Sequence, residues 1–555
     1  MNIAAYGNQN IILNGNPSKT FFKATYAKYT NFGMQKFRID FSGQRNLRLT
    51  ESSVFEFTVP RYGDLLMDTY MVVNLPTIWS PVMPRQTAAG GTSILSSWQP
   101  YEFKWIDNIG TQMIERVRFT VGGAIIQEFT GQYLNCLSER DLFGDKKKLY
   151  REMSGHVPEL NNPAYAHGRS GTYPNAFYGG TGSSIVDSLE YNNAYDQVGS
   201  EPSIRGRQLY VPLNIWFTMA AKMAFPLIAL QYAELKIELT LRPVQDLFTV
   251  SKIYLSEDDP LIDEATLRTP IKPNFNEPAY QFYRFLQSPP TEDISTSDAY
   301  EDKRTLWNAD VHLMSTYAFV TEDEGRMFAF EPQKYLVKQS YTTVFENIVG
   351  SKKVDLKSLG LVSNWMWFMQ RSDVSERNQW SNYTNWPYSI PPSEVISRAT
   401  LLDTELYDSG LFDAMNARDI MSTWALVLGG KYRENQLSRG VVDYIEKYVR
   451  TTSYAASSIY CYNFALQNDT TECQPSGAIN MSKFSTVEFE VTTIQPPLNG
   501  NFQFTTIRAP GTNEIVATQI PRSGIYDFQY NMVVMEERYN ILNITNGTAG
   551  LEFSR

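Results

Sequence analysis

At 555 residues the chain is too long for one ordinary hydrophobic core and reads as two large domains or more. Hydrophobic residues at 43% and aromatics at 14%, with 34 Tyr and 31 Phe, favour pleated, half-buried surfaces and so a β-rich fold. A net charge of −10 and a pI near 5.2 speak against a nucleic-acid partner, whose phosphates would on average be repelled.

The opening segment, MNIAAYGNQNIILNGNP, has no basic leader, apolar core or small-residue cleavage site, so no secretory signal is expected there. Apolar and polar residues then alternate through Lys36 to Phe41 and Val54 to Val59, the period-two pattern of half-buried strands. The stretch Trp105 to Asn135 is the clearest hairpin. Val117, Phe119 and Val121 alternate with Arg116, Arg118 and Thr120, and Gly122-Gly123 supplies the two positive φ angles of a type I′ turn before Ala124 to Phe129 returns. A helix is expected over Gln132 to Met153, with Lys146-Lys147-Lys148 as a solvated face beside Asp141 and Asp145.

His156 to Gly206, rich in Gly, Asn, Ser and Tyr, reads as one long surface loop. Met219 to Tyr232 is too short and too interrupted by Lys222, Pro226 and Gln231 to span a membrane. Leu235 to Leu241 is a further strand. Residues 246–308, with Pro260, Pro270, Pro273, Pro278, Pro289 and Pro290 and the acidic Glu257-Asp258-Asp259, are expected to form a linker laid over a surface, because proline removes ladder donors. Alternation returns in Ser485 to Val491, Asn501 to Ile507 and Gly524 to Gln529, and further helices are expected over Leu401 to Asp419 and Val441 to Tyr448. Many short strands and sparse helix indicate sandwiches or barrels.

Chemistry is thinly supplied. Only His156, His167 and His312 could serve a triad or zinc site, and HExxH, paired CxxC and GxSxG are all missing from the sequence, so no catalytic, cofactor or metal residues are assigned. Gly179 to Ser184 lacks the Lys-Ser/Thr ending of a phosphate loop, and the acids Glu257, Asp258, Asp259, Asp263 and Glu264 lack calcium-loop spacing. Trp365, Trp367, Trp380 and Trp386 could form an aromatic sugar platform, which makes a carbohydrate-binding or carbohydrate-active β-sandwich the alternative function. Trp365 and Trp367, however, share one strand face, as core or interface residues do. Cys136, Cys461 and Cys473 are too few for a disulfide framework, although a Cys461–Cys473 bridge is conceivable. Sequons fall at Asn382, Asn468, Asn480, Asn543 and Asn546 as candidate glycosylation sites.

Ordered blocks give the chain a family likeness. They are Gly15-Asn16-Pro17 with Thr20-Phe21-Phe22-Lys23, Arg61 to Leu66, Val73 to Pro76, the Trp105 to Gly131 stretch, Val211 to Phe217, Phe225 to Tyr232, Ile459 to Leu466, Pro475-Ser476-Gly477, Asn480-Met481-Ser482 and Tyr539 to Phe553. In this order the chain resembles the major capsid proteins of nucleocytoplasmic large DNA viruses, as found in mimivirus, phycodnavirus and iridovirus relatives. It departs from them at Thr218 to Lys222 and Thr321 to Arg326.

The resemblance implies an all-β fold of two consecutive eight-stranded antiparallel jelly-roll sandwiches with short accessory helices and long loops. On that reading residues 1–30 form an arm, 31–245 the first jelly roll with a loop at 156–206, 246–308 the connection, and 309–555 the second jelly roll with an insertion at 372–419. It implies a non-enzymatic shell protein forming homotrimeric, pseudo-hexagonal capsomers in an icosahedral virion, assembled in host cytoplasm. Its expected partners are other copies of itself, minor capsid and penton proteins, and a host-surface glycan or receptor. Direct nucleic-acid binding is not expected, and any contact with an inner viral membrane would be indirect.

Overall fold

The computed structural model describes residues 7–41, 43, 46–83, 99–169, 171–176, 201–253, 270–289, 300–389, 417–453, 455–468, 474–500, 505–508, 515–519 and 525–553. Two sheet sandwiches follow one another along the chain. The strands of the first are β1 (Phe32–Ile39), β2 (Ser53–Thr58), β3 (Leu65–Leu75), β4 (Ile114–Val121), β5 (Ala124–Phe129), β6 (Arg207–Pro212), β7 (Leu235–Leu241) and β8 (His312–Val320). One sheet runs β1-β8-β3 with β6 on the far side of β3; the facing sheet runs β2-β7-β4-β5, all antiparallel.

The second sandwich repeats this order eight strands later. It uses β9 (Gln333–Ile348), β10 (Ser351–Asp355), β11 (Leu361–Arg371), β12 (Met421–Leu428), β13 (Lys431–Ser438), β14 (Ile459–Asn463), β15 (Val487–Thr493) and β16 (Tyr530–Thr545). Its sheets run β9-β16-β11-β14 and β10-β15-β12-β13, so each strand holds the place of its counterpart in the first. Two four-strand paths ordered 1-8-3-6 and 2-7-4-5 are a jelly roll, here made twice. A last strand, β17 (Thr548–Leu551), folds back on β16 through Asn546 (φ 51°) and Gly547 (φ 77°).

The local chemistry explains these elements. Strand β2 alternates buried and exposed at every residue, so Val54, Glu56 and Thr58 face water while Phe55 and Phe57 enter the core. Gly122 (φ 57°) and Gly123 (φ 87°) make the expected turn, and outward Arg118 pairs with Glu128 across it at 2.7 Å. The single expected helix over 132–153 is instead two helices, α1 (Gly131–Asp141) and α2 (Gly144–Ser154). Extended backbone at Leu142 and Phe143 and a left-handed Gly144 (φ 56°) part them. Within the basic run, Lys147 is buried and pairs with Glu139 at 2.7 Å, so that lysine is not part of a solvated face.

Two boundaries differ from expectation. A second unit starting at 309 is not what the pairing shows, because β8 zips along β1 from Phe32↔Val320 to Ile39↔Leu313 and also pairs with β3. The chain therefore returns to the first sandwich before helix α3 (Glu322–Phe330) leads it away. Nor is the described part of 246–308 a linker over a surface. Phe248–Ser251 is a fully buried strand, and Phe282, Phe285 and Trp307 sit in the first core. The prolines delimit short turns, as Pro278 does at the first position of Pro278–Tyr280, and the aromatics between them anchor the segment. In the expected loop 156–206, Tyr173 is likewise buried and its hydroxyl donates to the Phe103 carbonyl oxygen at 2.6 Å. The acidic cluster Glu257 to Glu264, the Gly179 to Ser184 segment and most of the Leu401 to Asp419 helix lie outside the described residues, and among those described no strand covers Gly524 to Gln529.

Candidate assembly site

Strand β11 is apolar almost without interruption, and its alternate side chains enter different cores. Trp365, Trp367 and Met369 pack inside the second sandwich with Trp424 and Phe489, whereas Met366 and Phe368 join the core that begins in the first. Strand β16 does the same, sending Met532 and Val534 one way and Val533 and Met535 the other, and β14 splits Tyr460 and Tyr462 from Ile459 and Cys461. The sheet β9-β16-β11-β14 is thus a wall shared by both units. A strand buried on both faces loses its polar side, which is why Trp365 to Met369 reads as an unbroken apolar run, whereas the edge strand β9 keeps exposed polar residues.

Helix α1 fills the seam against this wall. The Thr130 hydroxyl oxygen accepts from the Tyr133 N–H at 3.3 Å and caps the helix start. Gly131 follows because no Cβ fits: one would lie 2.0 Å from the Thr111 carbonyl oxygen and 2.3 Å from that of Ile114. Nearly the whole helix is buried, including the Arg140 guanidinium, which is 0% exposed.

Arg140 donates from Nε to Asp141 at 2.6 Å, from Nη1 to the Asn364 Oδ1 at 3.0 Å and from Nη2 to the Glu537 Oε1 at 3.2 Å. Glu537, also 0% exposed, accepts from the Tyr133 hydroxyl at 3.0 Å and from the Asn364 Nδ2 at 2.6 Å, with the Lys338 Nζ at 3.2 Å. Burial pushes the Glu537 carboxyl up, but Arg140, Lys338 and the Asn364 amide outweigh it and hold the group well below the usual range. Asp141 is pushed upward by burial, which Arg140 only partly offsets. Each end of the cluster belongs to a different sandwich, so the network fixes how the two units meet.

The edges of the facing sheets run alongside each other next to this cluster. Gln339 on β9 donates to the Ile126 carbonyl oxygen on β5 at 2.5 Å, and Gln127 donates back to that of Lys338 at 3.4 Å. A groove of about 720 Å³ opens over this seam, lined by Glu115, Arg116, Glu128, Tyr341, Leu551 and Phe553 among others.

The residues singled out in the sequence are scattered. His156 lies near Asn161, with burial pushing its pKa down; His167 is exposed; buried His312 has Nδ1 at 2.7 Å from the Asp310 carbonyl oxygen. Among the described residues no group of three or more His, Cys, Asp or Glu could hold a metal ion. Trp365 and Trp367 are fully buried and the Trp380 ring is covered by the Arg242 guanidinium at 3.9 Å, so with half-buried Trp386 they make no open sugar platform. Cys136 and Cys461 are free, buried thiols, the latter pushed up to about 11 by its apolar surroundings; Cys473 lies outside the described residues.

The sequons also separate. Asn382 and Asn468 are 2% exposed, Asn382 binding Thr384 and Trp386 and Asn468 binding Asn364 and Asn463, so neither is open to an enzyme in the folded chain. Asn480 and Asn543 are half-buried and Asn546 is exposed at its turn. The sequence reading missed Arg140, Glu537, Asn364, Lys338 and Tyr133. The one signal was the pair Glu536-Glu537 interrupting the apolar run of β16.

Two successive jelly rolls welded through a shared sheet, with a buried charge cluster at the weld, define a double jelly-roll protein. Residues 20–274 match the family described as major capsid protein N-terminus, and residues 324–550 match that described as large eukaryotic DNA virus major capsid protein. The chain belongs to the major capsid proteins of large eukaryotic DNA viruses. It is 25% identical to the major capsid protein of Phaeocystis pouchetii virus over 100% of this chain and 99% of that protein. With the one from Chrysochromulina ericina virus it shares 28% identity over 67% of this chain, spanning 57% of that protein. In fold it is similar to the Faustovirus major capsid protein (TM-score 0.58, 11% identity, 95% of this chain and 93% of that one). The PBCV-1 virus capsid quasi-atomic model is comparably similar (TM-score 0.57, 17% identity, 97% and 100%). The role is structural, in the virion shell, and the relatives are not enzymes.

Proposed function

We propose that three copies associate into a ring whose six jelly rolls form a pseudo-hexagonal capsomer, and that these capsomers tile an icosahedral shell built in the host cytoplasm. The observation that carries this is the repeated strand order, because one chain with two equivalent sandwiches presents six nearly alike edges when tripled. The units follow the pairing, 32–320 and 333–551. Minor capsid and penton proteins would fill contacts between capsomers and at vertices, where interfaces are smaller and more polar. An inner membrane would be met only through such proteins. Asn546 is the favoured glycan acceptor, since its side chain is exposed where Asn382 and Asn468 are enclosed.

Solution mass tests the reading. Three chains of 63.4 kDa make roughly 190 kDa, and light scattering of purified protein at about 1 µM should return that value. A stable 63.4 kDa particle would sink it.

A further inference from the structure

Two of the chain's three cysteines meet at the weld, one from each sandwich. Cys136 lies on α1 and Cys461 on β14, and both are 0% exposed.

The way α1 lies on the wall brings them together. Near the helix start the Gln132 Nε2 donates to the Gln370 Oε1 at 3.4 Å, and near its end the Arg140 Nη1 donates to the Asn364 Oδ1 at 3.0 Å. Residues four apart share a helix face, so Cys136, one turn from each of these contacts, faces the sheet between them. Asn364, Met366, Phe368 and Gln370 alternate along β11 and point to one side. Cys136 therefore comes over Met366 and Phe368. The ladder sets Met366 beside Cys461 and Phe368 beside Ile459, and all four join the core that holds Cys136. Two further bonds hold the approach. The Asn135 Nδ2 donates to the Tyr383 hydroxyl at 3.1 Å, and the Tyr383 ring lies 4.6 Å from that of Phe368. The Ser453 N–H, just ahead of β14, donates to the Arg140 carbonyl oxygen at 3.0 Å. The thiols are near enough to act on each other, because after burial the charge of Cys461 is the largest influence pushing Cys136 up.

We propose that Cys136 and Cys461 form a cross-link site, at which a disulfide joins the two sandwiches once the shell meets an oxidising medium. In a reducing compartment the pair persists as two thiols. The oxidant is a low-molecular-weight disulfide. The thiolate of one cysteine attacks one of its sulfurs and expels a thiolate, leaving a mixed disulfide; the thiolate of the other cysteine then attacks the protein sulfur of that bond and expels the second. One S–S bond breaks in the oxidant and one forms in the protein, two electrons pass to the oxidant, and the two cysteine protons end on its two thiols. Burial keeps both groups protonated in the closed fold, so the reaction runs through opening of the seam and is slow. Once made, the bond closes a loop over more than half the chain and restrains the unfolded ensemble.

The test holds the warmed full-length protein with oxidised glutathione and refolds a second sample from urea in the same oxidant. Thiols are then counted with a maleimide in denaturant, and bridged peptides are mapped by mass spectrometry. The expected result is loss of two thiols, a Cys136–Cys461 peptide pair, and an unfolding constant lowered at least about 100-fold and restored by dithiothreitol. Cys473→Ala should behave as wild type, and Cys136→Ala should keep both of its remaining thiols. Three free thiols in both samples would overturn the site, as would a bridge mapped to Cys473 or between chains. A Cys136–Cys461 bridge that leaves the unfolding constant unchanged would overturn its role in holding the weld.

Discussion

Arg140 and Glu537 illustrate what a buried charge is for in a protein without chemistry to perform. Leaving either one alone in the seam strands a charge away from water, and breaking such a pair typically costs about 3–5 kcal/mol. Arg140→Ala should therefore lower stability in urea by an amount in that range, moderated by Lys338, which also reaches Glu537. Glu537→Gln gives a cleaner readout through pH. The folded carboxyl lies below its ordinary 4.5, so its stabilisation is complete above that pH and is lost as pH falls below it. The wild-type advantage over Glu537→Gln should shrink below about pH 4.5, and a difference that stays flat from about pH 6 to about pH 3 would refute the assignment. Asp141 is raised in part by the charge on Glu537, so its shift lessens in the variant and the two carboxyls are read together. Gly131→Ala places a methyl 2.0 Å from a backbone oxygen, so a loss of about 1–3 kcal/mol is expected, read as a lower thermal midpoint. Beyond the Glu536-Glu537 pair in the apolar run of β16, the sequence carries no sign of these roles, because Arg140 and Glu537 lie 397 residues apart and spacing holds no trace of so distant a partner.

At the scale of the element, strand patterns were readable wherever one face is wet. Strands β2 and β7 fall where alternation puts them, as does the Gly122-Gly123 turn. Legibility failed where tertiary burial overrode local signals. Strand β8 completes the first sandwich rather than opening the second, and nothing in HLMSTYAFV says which sheet it completes. The proline-rich connection reads as a surface linker because the prolines are conspicuous and the burial of Phe248, Phe282 and Trp307 is not. Strand β11 offers a test of the shared wall. Phe368→Ala and Trp367→Ala open cavities on opposite faces of one strand, and each should cost about 3–5 kcal/mol in the same unfolding transition. If Phe368→Ala left stability within about 0.5 kcal/mol of wild type, the seam would not be a true core.

For the whole molecule, a common wall means that the two sandwiches do not have separate stabilities. Denaturation should follow one transition, with tryptophan fluorescence, dominated in the second core by Trp365, Trp367 and Trp424, coinciding with far-UV circular dichroism. Two resolved transitions would contradict this. The doubled architecture was foreseeable from the family blocks, but the weld between its halves was not, since no block reports which face of a strand meets another domain.

The wall also imposes an order on manufacture. When β8 leaves the ribosome the first sandwich has all its own strands, yet α1 still presents its apolar face to the cell, because the wall that covers it, ending with Glu537 on β16, has yet to be made. At roughly 5–20 residues per second that interval lasts tens of seconds. Every nascent chain thus passes through a stage in which a finished half exposes an unfinished face, beside neighbours on the same polysome exposing the same one. A protein made in the quantities a shell demands would depend during that interval on chaperones that shield the face until its own second half arrives.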